Sequence, residues 1–310
     1  MKDYTIDEEL RFLKPLRFTR YTKKRRLIAN IIIALSNFFT LPHPEIKKRT
    51  FFIRGFQHQK VKIYVFSKRK DDAVKPVLLF LHGGGFQMRG TPVHTKMIHD
   101  LIKSTDYKVV YLKYHLLPKY PFPVALEEAY HALQWIKEHA LFLKIDENQI
   151  AIAGDSAGGN LSAGVTLLSR DRNGPKIKRL MLIYPVLDAT LSTQSMSDYS
   201  DTPMWNSNLN RSMWSTYLRD GDFGMLKYAS PLQADLNNLP ITYIETAEFD
   251  CLRDEGIQFS DKMKASGNQV IEFHTKNTVH GYDAVFFSKL VQEMKMKRSA
   301  FLKGDYDEKS

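Results

Sequence analysis

Ser156 stands in Gly154-Asp155-Ser156-Ala157-Gly158, directly after the apolar run Gln149-Ile150-Ala151-Ile152-Ala153. Glycine two positions to either side of a serine permits a strained strand-to-helix turn that lifts the hydroxyl above a sheet, where it can act as a nucleophile. The pentapeptide alone is weak, since chance would place it in roughly one chain in twenty of this glycine content. Its setting adds weight. A β-branched run precedes it, and Asn160 to Leu168 follows with apolar positions at helical spacing. Upstream, Pro76-Val77-Leu78-Leu79-Phe80-Leu81 runs into His82-Gly83-Gly84-Gly85-Phe86, and chance supplies H-G-G-G in about one such chain per thousand. Acyl transfer places negative charge on the former carbonyl oxygen, and backbone N–H groups aimed at that point are the usual stabiliser. Successive glycines allow the close approach this needs. Gly84 and Gly85, with Gly83 as the third candidate, are assigned to an oxyanion hole that the Ala157 N–H completes. The bland alternative is a mobile glycine turn.

A serine nucleophile needs a base, and the base needs an orienting acid. The strand-like Ile241 to Ala247 ends at Glu248-Phe249-Asp250-Cys251-Leu252-Arg253-Asp254-Glu255, and the strand-like Val270 to His274 leads to Val279-His280-Gly281-Tyr282. Asp250 occupies the turn just past a strand end, where a carboxylate can reach a histidine on the next loop. Asp254 instead starts the following helix, and Glu248 is the other competitor. The order Ser156, Asp250, His280 is the one used on an α/β-hydrolase sheet. His82 is expected to shape the glycine loop and His274 to be structural. His94, His99 and His131 lack partners at metal-ligand spacing, so no metal is expected.

At these residues the chain resembles the hormone-sensitive-lipase-like group of α/β-hydrolase esterases. The shared motifs are the H-G-G-G loop, the G-D-S-A-G-G elbow, the D-x-L-R-D-E acid loop, an H-G-Y loop in place of H-G-F, and Tyr114 to Glu127, similar to Y-R-L-A-P-E-x-P-F-P-A-A-L-E. The resemblance spans about Val77 to Tyr282. Cys251 stands where the group has proline, Tyr282 where it has phenylalanine, and His115 and Lys119 where it has Arg and Glu. None of these removes a catalytic group.

The elements that must hold these residues follow from periodicity. Strand-like runs at 61–66, 77–81, 109–113, 150–153, 180–184, 241–247 and 270–274 alternate with helical patterns at 95–104, 123–140, 157–169, 253–265 and 284–296. Such alternation implies an α/β fold with a mostly parallel, doubly wound sheet. Residues 1–50 and about 187–226 break the pattern, and the resemblance implies that they form a cap over the active site, the first as an N-terminal segment and the second as an insertion in an α/β-hydrolase domain of residues 51–310. Phe86, Trp205, Trp214 and Tyr282 are the candidate substrate-binding side chains. For Trp205 and Trp214 a pocket wall and cap core are even alternatives.

With 310 residues, 43% hydrophobic and 25% charged, the chain has the composition of one soluble α/β-hydrolase-sized unit, not of a disordered one. A single cysteine, Cys251, cannot form an internal disulfide, and a reducing, cytoplasmic setting is expected. Beside the acid loop Cys251 reads as a packing residue ahead of a redox-sensitive thiol. The tail Lys303 to Ser310 is expected to fray. The net charge of +11 is weighted toward Arg11, Lys14, Arg17, Arg20 and Lys23 to Arg26, ahead of the apolar Leu27 to Leu35. That apolar stretch is interrupted by Asn30 and again, just past its end, by Ser36-Asn37, and falls short of the ~20 residues of a spanning helix. The segment from Arg20 to Leu41 is expected to be a lid helix whose Ile and Phe side chains bury against the site mouth. A membrane-surface anchor is the alternative. Nucleic-acid binding is excluded because no groove-reading motif accompanies the charge.

These residues together point to a carboxylic-ester hydrolase acting on small-molecule esters of short to medium acyl chains, through an acyl-enzyme and without a cofactor. Amide cleavage by the same triad is the first alternative. A non-catalytic binding protein of the gibberellin-receptor kind is the second, and His280 argues against it.

Overall fold

The computed structural model describes residues 2–40 and 42–306; the lid boundary at Leu41 and the last four residues of the expected frayed tail lie outside the described residues. Eight strands form one sheet: β1 (Ile46–Arg54), β2 (Lys60–Lys68), β3 (Lys75–Leu81), β4 (Lys108–Lys113), β5 (Ile145–Asp155), β6 (Arg179–Ile183), β7 (Ile241–Phe249) and β8 (Val270–Val279). Their order is β1-β2-β4-β3-β5-β6-β7-β8. The pairs β1/β2 and β2/β4 are antiparallel, and every pair from β4 onward is parallel. The central strands are continuous apolar runs because helices cover both of their faces.

Helices α1 (Lys23–Phe38), α2 (Pro92–Ser104), α3 (Val124–Glu138), α4 (Ala157–Asp171), α5 (Ser207–Tyr217), α6 (Arg253–Ala265) and α7 (Lys289–Lys303) accompany the sheet, with shorter turns between them. One core lies between the sheet and α3, α4 and α6, extending into the region of Trp205 and α5; a second lies on the side of α2 and α7. No helix among the described residues is long and apolar enough to cross a membrane.

The sheet has one strand more than the periodicity predicts, and it starts at Ile46, inside the segment expected to precede it. The missed strand, Ile46-Lys47-Lys48-Arg49-Thr50-Phe51-Phe52-Ile53-Arg54, buries only Ile46 and Ile53 fully. It is an edge strand, and its three successive cations hide the alternation while protecting the edge from further pairing. The last helix also starts later than expected. Residues 282–284 form a 3₁₀ turn, and Ser288 caps α7 by accepting the Val291 N–H at 3.2 Å.

The two segments that break the pattern are stitched to each other. Tyr4 Oη donates to Asp201 at 2.7 Å, the Met204 N–H donates to the Leu16 carbonyl at 2.7 Å, and Asn206 Nδ2 donates to the Phe18 carbonyl at 2.8 Å. Helix α1 departs from its expected packing. None of its residues is buried, and Ile28, Ile31, Ile32, Leu35 and Phe38 point to solvent, not toward the site mouth.

Candidate active site

Strand β5 delivers its last residue, Asp155, to the carboxyl edge of the sheet, and Ser156 makes the turn into α4 at φ 55°, ψ −120°. That backbone is costly for any residue with a Cβ, by about 1–3 kcal/mol, and persists only where the surroundings over-determine it. Here the Ser156 N–H donates to the Ile183 carbonyl at 2.8 Å, while its own carbonyl accepts from Asn160 and Val186 at 3.1 and 3.2 Å. The turn also demands close packing. A Cβ on Gly158 would lie 1.9 Å from the Leu81 carbonyl oxygen, so only glycine lets α4 begin this near β3.

Ser156 Oγ lies 2.8 Å from His280 Nε2, and His280 Nδ1 lies 2.7 Å from Asp250 Oδ2. The other Asp250 oxygen accepts the Leu252 N–H at 3.0 Å, and the carboxylate is fully buried. The rival acids are committed elsewhere. Glu248 accepts the Asn277 N–H at 2.7 Å, and Asp254 binds both the Ser195 N–H and Arg253. Cys251 is buried, and burial together with the Asp250 charge holds its thiol well above the ordinary range, so it serves as packing.

The glycine loop divides its amides. The Gly83 N–H donates to Asp155 Oδ1 at 3.0 Å, which withdraws Gly83 from the expected oxyanion hole. Gly84, at φ +115°, turns the chain, and its carbonyl accepts from Gln87 and Met88 at 3.1 and 2.9 Å. Among the described residues the N–H groups of Gly84, Gly85 and Ala157 donate to no protein acceptor. The first of the α4 amides is thereby joined to the positive end of the helix dipole. His82 Nδ1 lies 2.7 Å from the Gly83 carbonyl, and its ring stacks on Tyr114 at 4.4 Å. Burial, then the neighbouring His94, holds its pKa down to about 3, so it braces the loop as a neutral ring.

His94 was not singled out by its spacing, yet it lies beneath this loop. Its Nδ1 accepts the Thr91 N–H at 2.9 Å, which leaves Nε2 to donate to Asp155 Oδ2 at 3.2 Å. Burial alone would raise the Asp155 carboxyl, but His94 and the Gly83 N–H bring it below the usual range. The legible signal was Thr91-Pro92-Val93-His94, an N-cap with proline at the first helical position. The His115 that replaces arginine is likewise held, since buried Glu128 accepts its backbone N–H at 2.8 Å and pairs with its ring at 2.5 Å.

A cavity of about 270 Å³ opens at Ser156, walled by Tyr21, Met97, Tyr184, Met204 and Trp205, with Gly84, Gly85 and His280 at its reactive end. Of the four candidate substrate-binding side chains only Trp205 lines it. Phe86 lies beneath, stacked on Tyr217 at 4.0 Å, and Trp214 packs beside Tyr217 in the cap core. Tyr282 is drawn down to a buried polar cluster, where its hydroxyl and that of Tyr243 donate to Glu245, and Arg298 bridges Glu245 and Asp283. Two phenols and a guanidinium on one carboxylate satisfy groups that would otherwise be costly to bury. Asp283 in turn accepts the Tyr184 hydroxyl at 2.6 Å and reaches the cavity wall.

Glu255, at the start of α6, carries an uncompensated cost. Oε1 accepts the Leu187 N–H at 2.5 Å, but Oε2 is buried without a partner. Burial first, then Asp188 and Asp250, pushes its carboxyl well above the ordinary range. The fold thus favours the protonated acid while the unfolded chain ionises earlier, so this stability is full at acid pH and falls as pH rises through the folded value. Glu255→Gln keeps the acceptor for Leu187 and removes the titration. Its stability advantage over wild type in urea unfolding should therefore widen with pH above the ordinary carboxyl range, by up to about 1.4 kcal/mol per pH unit. A gap that stays constant from pH 4 to 8, a window set by ordinary carboxyl titration, would refute that reading.

Among the described residues no cluster of metal-ligating side chains occurs. A mostly parallel sheet with a serine elbow at its carboxyl edge defines the α/β-hydrolase fold. Residues 78–284 match the model of the family described as alpha/beta hydrolase fold, and the chain belongs to that family. It is similar to Carboxylesterase NlhH of Mycobacterium tuberculosis, at 34% identity over 246 residues, 78% of this chain and 76% of that one. It is also similar to arylacetamide deacetylase of Bos taurus, at 30% identity with 76% and 75% covered. A solved bacterial heroin esterase superposes with a TM-score of 0.89 at 30% identity, covering 98% of both chains.

Proposed function

We propose that the protein is a serine carboxylesterase working through an acyl-enzyme on esters of short to medium acyl chains. The observation that carries this reading is the hydrogen-bonded series Ser156 Oγ, His280, Asp250 at the end of an apolar cavity. Neutral His280 accepts the Ser156 proton at Nε2 as Oγ attacks the ester carbonyl, and Asp250 holds the Nδ1–H tautomer and stabilises the imidazolium. The carbonyl oxygen, now negative, takes hydrogen bonds from Gly84, Gly85 and Ala157 N–H. His280 then protonates the leaving alkoxide, and water repeats the sequence with His280 as base. No step requires a cofactor. Pre-steady-state kinetics on p-nitrophenyl acetate tests the covalent intermediate: a p-nitrophenol burst is expected when deacylation limits turnover, and a mass increase of one acetyl group on the peptide containing Ser156 identifies it. Acetyl found on another residue, with none on Ser156, would overturn the assignment.

Chain length follows from the walls. The cavity volume lies just below the ~300–1,000 Å³ of sites for drug-sized ligands, and the rigid rings of Trp205 and Tyr184 stand in its wall. kcat/KM across p-nitrophenyl esters is expected to peak between acetate and octanoate. A higher value for palmitate would contradict this.

The similarity to an arylacetamide deacetylase supports a second reading, cleavage of aryl amides at the same site. Paired aryl acetates and acetanilides discriminate the two, and the ester is expected to react faster because its leaving group needs less protonation.

A further inference from the structure

We propose that α1 is a docking surface for anionic lipid bilayers, its apolar ridge entering the headgroup–acyl boundary and the cations around it engaging the headgroups.

An ordinary surface helix turns its apolar stripe inward. Helix α1 does the reverse. Asn30 Nδ2 donates to the Gln87 carbonyl at 2.9 Å, its Oδ1 accepts the Arg89 N–H at 2.8 Å, and Asn37 Nδ2 donates to the Gly90 carbonyl at 2.7 Å. These two asparagines, seven residues apart, fix one face of the helix to the body. The opposite face carries Ile28, Ile31, Ile32, Leu35, Phe38 and Phe39, all exposed, with Ile32 at 57% and Phe38 at 81%. Single exposed apolar residues are ordinary, but a contiguous ridge held outward by polar contacts marks an interaction surface. A closing lid would need the ridge to face the cavity, and the asparagine contacts set it the other way.

Charge selects the occupant. No acidic residue lies in the first turn of α1, which is Lys23-Lys24-Arg25-Arg26. At 100° per residue Lys24 and Arg25 fall on the ridge side. Beside the carboxyl end of α1 lies a cleft of about 330 Å³ lined by Asn37, Lys47, Lys48, Arg69 and Lys113. Among the described residues none of those cations is in an ion pair, whereas nearby Lys68 and Lys75 share Asp106. Burial, then Lys62, Arg89 and Lys48, lowers the Lys113 ammonium, as expected for cations gathered without a counter-charge. A lipid surface rich in phosphatidylserine satisfies ridge and cations together. A second copy of this +11 chain would cover the ridge but add like charge. At 16 residues α1 is about 24 Å long, short of the ~30 Å hydrocarbon core, so it lies in the interface and does not span it. Its seat on Gln87, a cavity-lining residue, places that interface beside the site.

The test is cosedimentation of the full chain with phosphatidylcholine vesicles with and without phosphatidylserine. Binding is expected only to the anionic vesicles and should weaken with added salt. Ile28→Glu/Ile32→Glu/Leu35→Glu, at solvent-exposed positions, and independently Lys24→Glu/Arg25→Glu, should each lower vesicle binding about tenfold or more. Turnover of soluble p-nitrophenyl acetate should stay at the wild-type value in both. No binding to anionic vesicles, or undiminished binding by the triple variant, overturns the proposal. So does a wild-type dimer in sedimentation velocity that the triple variant dissolves, because the ridge would then belong to a second copy.

Discussion

Ser156→Ala is expected to lower kcat on p-nitrophenyl acetate by about 10⁴-fold or more while the protein stays folded. The substitution deletes one oxygen. It leaves the backbone bond from Ser156 N–H to Ile183, and alanine occupies the same strained φ/ψ, having a Cβ like serine. What is lost from the fold is a single hydrogen bond to His280 at 2.8 Å, a change of about 1 kcal/mol or less. What is lost from the chemistry is the atom that becomes acylated. Circular dichroism and urea unfolding report the first quantity, steady-state kinetics the second. Wild-type turnover by folded Ser156→Ala protein would exclude the acyl-enzyme reading altogether.

The parts of this site that are local in sequence were legible there. The elbow and the glycine loop each follow a strand, β5 or β3, whose last residues before the motif are an apolar run buried by helices on both faces; the acid and histidine loops follow β7 and the edge strand β8, and their motifs are short stretches of local sequence. What escaped the sequence depends on contacts between distant segments. Gly83 could not be told from Gly84 by type, since only the arrival of Asp155 across the sheet decides which amide is consumed. Trp205 and Trp214 sit nine residues apart in the same insertion, and their different fates follow from where α5 packs, with its Tyr217 stacked on Phe86 and beside Trp214. Tyr282 was beyond reach because its partners, Glu245 and Arg298, lie on β7 and α7. The edge strand β1 escaped for a simpler reason: lysine and arginine stand on both of its sides, with Phe52 on the exposed one, so apolar and polar residues do not alternate. The outward ridge of α1 reads in sequence like any buried amphipathic stripe, and Asn30 and Asn37, which interrupt it in the sequence, are its anchors in the fold.

Asp250→Asn should also cost about 10⁴-fold in kcat, a magnitude taken from a serine-hydrolase triad in which the same change has been measured, and equivalent to about 5.4 kcal/mol in the barrier. The reason lies in which atoms Asp250 must serve. One oxygen accepts the Leu252 N–H and the other accepts His280 Nδ1–H, so both must be acceptors. Asparagine offers one oxygen and one NH₂. With its oxygen kept on Leu252, the amide donates toward His280 Nδ1, which must then be the unprotonated nitrogen. The proton moves to Nε2, the atom facing Ser156 Oγ at 2.8 Å, and a protonated Nε2 cannot take the serine proton. KM should change little, because Asp250 lies behind the imidazole and forms no part of the cavity wall. Glu248→Gln and Asp254→Asn, at carboxylates already committed to other donors, should retain most of wild-type kcat. Were either of these to abolish turnover while Asp250→Asn kept it, the acid of the triad would have to be reassigned.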